Sequence, residues 1–334
     1  MDSMIIILWI VVFLALSFDF INGFHDTANA IAASVSTRAL KPRVAVMMAA
    51  VMNLVGALSF TGVAKTIGSG VANPASLQDG VYIVIAALLS AIAWNLITWW
   101  FGIPSSSSHA LIGALAGAVI SSAGIGAINS SGFLDILKAL LISPLIAFTV
   151  GFILMWLLKH IFANASPHKI NRGFRSGQIL TAMFQSFSHG TNDAQKAMGI
   201  IVFALVAAEV QADTSHIPFW VKLSAALAMA LGTSVGGWKI IKTMGTKIFK
   251  IEPINGFAAD IGSAGVILTA TIFHLPVSTT HVITSSLLGV GSAKRFSAVK
   301  WSMAGKIVIA WVITIPISAA LAWVFFKLID LFFL

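Results

Sequence analysis

Asp19–Ala30 reads DFINGFHDTANA and closes an almost unbroken run of Ile, Leu, Val, Phe and Trp that extends from Met4 to Phe18. Asp19, Asn22, Asp26 and Asn29 fall at i, i+3, i+7 and i+10, the spacing of one helix face. A polar stripe at the end of so apolar a helix needs a reason for being there. The chain then repeats it. Ser186, His189, Asp193 and Lys196, in SFSHGTNDAQKA, keep the spacing 167 positions later, and Gly23/Gly190, Asp26/Asp193 and Ala30/Ala197 are identical. Two polar helices inside a hydrophobic protein point to a site with two sides.

The rest of the chain sets that pair in a membrane. Of its 334 residues 58% are hydrophobic and only 9% charged, against about 25% charged in a soluble domain; mean hydropathy is +0.96. This predicts an all-α polytopic membrane protein. The net charge of +9 reads as Lys and Arg retained in cytoplasmic loops, with no nucleic-acid partner implied. The absence of cysteine excludes a disulfide framework and thiolate metal or redox chemistry. Met4–Phe18 lacks a basic flank and a small-x-small cleavage site, and is expected to be mature protein. Spans of about 20 residues are expected near 4–35, 44–66, 81–101, 136–158, 179–208, 220–240, 255–273 and 302–327. Shorter apolar segments follow Pro104 and Pro276.

Basic clusters (Arg38, Lys41 and Arg43; Lys159, Lys169, Arg172 and Arg175; Lys239, Lys242, Lys247 and Lys250; Lys294, Arg295 and Lys300) alternate with acidic loops carrying Asp79 and Glu209/Asp213. With the basic clusters inside, both termini lie outside. The first stripe is then entered from outside and the second from inside. Residues 1–158 and 179–334 become two inverted-topology repeats joined by a cytoplasmic basic linker, 159–178. Secondary transporters are built this way, with substrate held between the halves near mid-membrane. Further pairs support the repeat. FGIPSSSSH (Phe101–His109) matches FHLPVSTTH (Phe273–His281) at an offset of 172, and Lys65-Thr66 matches Lys242-Thr243 at 177.

Each Pro-Ser/Val-Ser-Ser/Thr sequence reads as a break followed by a capped helix start. Inside a membrane such a start leaves backbone N–H groups in need of acceptors. An oxyanion supplies them, and the helix dipole favours its charge. Two such starts could grip a tetrahedral oxyanion through Ser105, Ser106, Ser107, Ser108, Ser278, Thr279 and Thr280, helped by Asn29 and Gln195. Asp26 and Asp193 at membrane depth mark an ion path or proton relay, yet two carboxylates beside an anion would repel it. The conflict resolves if each holds a cation or proton while the anion is bound, with Asn22, Asn192, His189, Asn53 and Asp260 as further coupling candidates. Lys196 could pair with Asp193 or touch the anion directly.

In these residues the sequence resembles the inorganic phosphate transporter (PiT) family, whose paired signature of the form GANDVANA appears as GFHDTANA at 23–30 and GTNDAQKA at 190–197. PSSSSH and PVSTTH match its hairpin motifs. The resemblance implies a phosphate symporter with re-entrant hairpins in a bacterial plasma membrane, with Asp26 and Asp193 serving phosphate and cation. It also suggests a homodimer, and a sodium ion at Asp26, Asn29 and Asp193. Three departures stand out: Phe24-His25 replaces Ala-Asn, Gln195-Lys196 replaces a small-residue/Asn pair, and Asn53 and Asp260 stand at the positions of the sodium-coupled members' glutamates. Losing the first acid favours H+ over Na+ as the co-transported ion, with metal-phosphate as a candidate cargo. Competing readings are a sulfate or arsenate carrier and a passive anion channel. No nucleophile–base–acid arrangement and no GxxxxGK[ST] loop argue for an enzyme or an ATP-driven pump.

Overall fold

The computed structural model describes residues 2–333. The first half holds α1 (Asp2–Ser36), α2 (Pro42–Ser59), α3 (Gly62–Gly70), α4 (Gly80–Phe101), α5 (Ser107–Ala123) and α6 (Ser130–Ile161). The second holds α7 (Pro167–Ala207), α8 (Phe219–Val235), α9 (Trp238–Lys242, continued by a π turn over Thr243–Lys247), α10 (Pro253–Ile272), α11 (Thr279–Arg295) and α12 (Trp301–Phe333). Among the described residues the only β pairing is an isolated bridge between Ala72 and Ile128. All-helical architecture follows from the solvent: with no water to bond the backbone, each span must satisfy its own N–H and C=O groups.

The exterior is apolar, and the interior, itself largely apolar, encloses a cluster of buried polar and charged side chains, a distribution unlike that of a soluble protein. Leu141, Leu145, Phe152, Ile309 and Val312 are exposed on α6 and α12, whereas Asp26, Asp193, Lys196 and His189 are buried. Among the described residues five helices (α1, α2, α4, α6 and α12) are long and apolar enough to cross a membrane, and α8 with α9, bent by 61° at the break between them, would make a sixth if the pair is one span. α7 does not qualify by composition because its polar stripe lowers the average, yet every residue from 191 to 200 is buried.

Packing in one half mirrors packing in the other. α1 lies on α8 as α7 lies on α2; α5 pairs with α12 as α11 pairs with α6; α4 backs α5 and α1 as α10 backs α11 and α7. Small residues allow the closest approaches. A Cβ on Gly56 would stand 2.2 Å from the Phe187 carbonyl oxygen, and one on Gly232 would stand 1.8 Å from that of Phe20. Each half therefore presses its second span, backbone to backbone, onto the other half's signature helix.

Two expected spans are broken. The stretch expected at 44–66 stops at Ser59, with Phe60 extended (φ −134°), before α3 begins. The stretch expected at 220–240 breaks at Gly236–Gly237, where Gly236 takes φ +76°, a conformation that suits glycine. The basic linker is largely helical: α6 reaches Ile161 and α7 begins at Pro167.

Each α-helical hairpin starts and ends at one place. Asn129 N donates to Val71 O at 2.9 Å, tying the end of α3 to the start of α6, so α4–α5 returns to the side it left. In the second half Lys300 N donates to Ile248 O at 2.9 Å, and Lys294 Nζ lies 2.8 Å from Glu252 Oε2. Gly56→Val and Gly232→Val should each lower the melting temperature of detergent-purified protein, at a cost of about 1–3 kcal/mol or more for overpacking. Gly173→Ala, with open space around it, should not; equal effects from all three would refute this packing.

Candidate functional site

The starts of α5 and α11 meet the two signature helices in the centre of the molecule. Ser106 accepts from His109 N at 3.1 Å and Ser278 accepts from His281 N at 3.2 Å, so the same N-cap is built twice. The two imidazole rings lie 4.3 Å apart between centroids, and Trp311, stacked on His281 at 3.9 Å, donates to Pro104 O at 3.2 Å. The hairpin tips thus touch one another as well as the signature helices; Ser108 crosses to donate to Val277 O at 2.8 Å.

The carboxylates sit under those starts. Ser107 Oγ donates to Asp26 Oδ2 at 2.5 Å and Thr280 Oγ1 donates to Asp26 Oδ1 at 3.0 Å. His25 Nδ1 lies 2.7 Å from the same Oδ1. Asn29 Nδ2 donates to Thr280 Oγ1 at 2.9 Å, extending the chain to the opposite half. Across the site Thr279 Oγ1 donates to Asp193 Oδ2 at 3.1 Å, and His189 Nε2 lies 3.3 Å from that oxygen. Lys196 Nζ is 2.7 Å from Asp193 Oδ1 and donates to Ser107 Oγ at 3.3 Å. Asp26, Ser107, Lys196 and Asp193 form one continuous polar chain with no exposure to solvent above a few per cent.

Other expected residues lie elsewhere. Gln195 turns away from the hairpins: its Oε1 accepts from Ala64 N at 3.0 Å and its Nε2 donates to Thr191 O, so it serves the start of α3. Asn192 latches the second hairpin, donating to Thr271 Oγ1 at 3.0 Å and Leu275 O at 3.2 Å while accepting from Val277 N at 3.3 Å. His25 does the same for the first hairpin, 3.2 Å from Thr98 Oγ1 and 3.5 Å from Ser105 Oγ. Asn53 bridges the halves, donating to Thr27 at 2.9 Å and Thr233 at 3.0 Å and lying 3.1 Å from His189 Nδ1. Asp260 belongs to a separate cluster with Thr181 (3.3 Å), whose α7 neighbour Gln178 accepts from Thr37 at 2.6 Å; Thr181 precedes Asp193 by twelve residues, about 18 Å along a helix. Asn53 on α2 and Asp260 on α10 therefore occupy unrelated places in the two halves. Asp26, Asn29 and Asp193 are not one ligand set either, since Asp193 is already engaged by Lys196.

Several buried atoms lack protein partners: both carboxylate oxygens of Asp19, both side-chain polar atoms of Asn22 and of Asn95, and Asn29 Oδ1. Such atoms cost about 1–3 kcal/mol each when left unbonded. An opening of about 880 Å³ between α6 and α10 is lined mainly by apolar residues such as Ile142, Ile146, Val150 and Leu154 and lies apart from the central carboxylates.

Sequence reasoning underrated His25 and Lys196 and missed Thr98. The signal for Thr98 was hidden: it pairs with Thr271 only at an offset of 173, outside any obvious motif.

A buried, charge-bearing core between paired hairpins, inside an apolar helical exterior, defines a helical membrane transport protein. Residues 22–322 match the phosphate transporter family, PHO4, and the chain belongs to that family; it is a phosphate transporter. It is 57% identical over 333 residues, covering 100% of both chains, to a Bacillus subtilis protein named "Probable low-affinity inorganic phosphate transporter". A Rhizobium meliloti protein of the same name is 46% identical over 92% of each chain. A solved structure titled "The sodium-dependent phosphate transporter" superposes with TM-score 0.85 at 26% identity, covering 98% of this chain and 99% of that one.

Removing one partner of a buried ion pair strands the other. Asp193→Asn leaves Lys196 uncompensated and should destabilise by about 3–5 kcal/mol. Asp26→Asn, with hydroxyl and imidazole partners, should lose about 1–3 kcal/mol. Thermal melts in detergent would read both, and equal losses would contradict the geometry. Ser106→Ala and Ser278→Ala should each cost about 1 kcal/mol in the same assay.

Proposed function

We propose that this chain imports inorganic phosphate across the bacterial plasma membrane by cation symport, with a proton as the preferred coupling ion. The observation that carries the reading is the convergence of two Ser/Thr-capped helix starts on Asp26 and Asp193 in one buried cluster. Phosphate would displace those carboxylate-directed hydroxyls. Ser105–Ser108 and Ser278–Thr280 would then turn to the anion, joined by the free N–H groups at the starts of α5 and α11. A carboxylate that loses its donors beside an anion must be neutralised, which links anion binding to cation binding.

Proton coupling is supported by the partners of Asp26. The His25 imidazole lies 2.7 Å from Asp26 Oδ1 and also reaches Thr98 and the hairpin residue Ser105, joining the carboxylate to the first hairpin through a polar chain. Sodium coupling remains the second reading, favoured by the unpartnered Asn29 Oδ1 near Asp26, a hard oxygen ligand.

The alternation of basic and acidic loops supports an inverted repeat with both termini outside. If α1, α2–α3 and α6 each cross once and the α4–α5 hairpin returns, three passes set the second half upside down relative to the first. The hairpins would then enter from opposite faces and meet at mid-membrane.

Phosphate uptake into proteoliposomes, with pH and sodium gradients imposed separately, tests the reading. Uptake should follow an inward proton gradient without sodium; uptake driven by sodium alone at matched pH would reverse the choice. Asp26→Asn should reduce uptake by about 30-fold or more, as loss of a buried charge of about 2 kcal/mol or greater implies. Undiminished flux would indicate a passive channel.

A further inference from the structure

The two halves build the same site from different residues at one position. In the first half Asn29, three residues after Asp26, donates to Thr280 of the opposite hairpin at 2.9 Å and keeps Oδ1 free of any protein partner. In the second half the corresponding residue is Lys196, three residues after Asp193. Its ammonium donates to Ser107 of the opposite hairpin at 3.3 Å and sits 2.7 Å from Asp193. One half thus presents a carboxylate and a carbonyl oxygen, the equipment for an exchangeable cation. The other presents a carboxylate already bearing a cation on a covalent tether.

We infer that Lys196 is a built-in counter-cation: it occupies the place of one mobile cation in the second half, so each phosphate is carried with one fewer co-transported cation than two symmetric half-sites would demand. The inference rests on reading the central cluster as the phosphate site. The local charges fit it. Lys196 is wholly buried with Asp193 and His189 on its own helix, Asp19 and Asp26 on α1, His109 on α5 and His281 on α11 around it. A lysine that only balanced Asp193 would have no need to bond Ser107, the hydroxyl that also holds Asp26. Through Ser107 the ammonium touches both carboxylates and the first hairpin start, where an anion's charge would be felt most.

A tethered ammonium differs from an exchangeable ion in two ways. It cannot leave with the substrate, so it carries no gradient energy. It is also present in the empty carrier, so Asp193 need not be recharged on the return step. At any given cation gradient the carrier would therefore concentrate phosphate less.

The decisive measurement is the slope of phosphate affinity against cation concentration, taken on purified full-length protein by isothermal titration with inorganic phosphate over a sodium series at fixed pH and a pH series without sodium. Linkage makes that slope count the cations bound with each phosphate. Lys196→Asn, which gives the second half the residue of the first, should raise the slope by one in one of the two series. Lys196→Arg should keep the wild-type slope whatever its affinity. In proteoliposomes the Lys196→Asn protein should then accumulate about tenfold more phosphate at equilibrium per tenfold cation gradient. A folded Lys196→Asn protein with the wild-type slope, or one that binds no phosphate at any cation concentration while Lys196→Arg binds, overturns the inference. If Lys196→Asn does not fold, Asn29→Lys decides: a second tethered ammonium should lower the slope by one, and an unchanged slope refutes the proposal. A wild-type protein with no cation dependence in either series would instead refute the symport reading beneath it.

Discussion

Buried carboxylates held by hydroxyls from the starts of two helices are the constraint on which the rest of the molecule depends. Asp26 and Asp193 would be intolerable at that depth without partners, and Ser107, Thr279 and Thr280 supply them. Those hydroxyls are available only because α5 and α11 begin in the interior, after Pro104 and Pro276, with Ser106 and Ser278 closing the first turn. The interior helix starts in turn require hairpins, and the hairpins require α6 and α12 to cover them. The architecture can be read outward from these few bonds.

The same bonds make the site responsive. A hydroxyl that donates to a carboxylate can rotate and donate to a bound anion instead, at small cost, because both acceptors are charged oxygens. A fixed arginine would hold the anion more tightly and release it less readily. The site gets its only permanent positive charge from Lys196, and that charge is already committed to Asp193. On the proposed reading, net attraction for phosphate would depend on what neutralises Asp26, which would make binding of anion and cation one event.

Near-symmetry between the halves shows where the two sides do different work. His25 and Asn192 perform the same task, each latching its own hairpin loop to its own signature helix. Ser107 and Thr279 likewise each serve the nearer aspartate. Asn22 and His189 diverge, as do Ala28 and Gln195: Ala28 packs tightly beside Gly237 at the second broken span, while Gln195 bonds the start of α3 at the first. Small-residue contact and side-chain capping are two solutions to one problem, the exposed end of an interrupted helix.

The sequence by itself determined the membrane setting, the repeat, and the identity of the central acids and hydroxyls. These are written in local patterns: hydropathy over a span, a stripe at helical spacing, and a proline followed by capping residues. It could not separate Asn192 and Gln195 from the residues that face the central carboxylates, because they share the stripe's neighbourhood and differ only in which way they point. It also paired Asn53 with Asp260 although they sit on different elements, and it read the spans at 44–66 and 220–240 as continuous. Those outcomes were decided by tertiary structure. Where a side chain points depends on the crossing of helices far apart in the chain, and a helix breaks where another backbone, such as that of Phe24 against Gly237, must come close enough to displace it. Hydropathy averages cannot register an approach of that kind, since it is a property of two segments and not of either one.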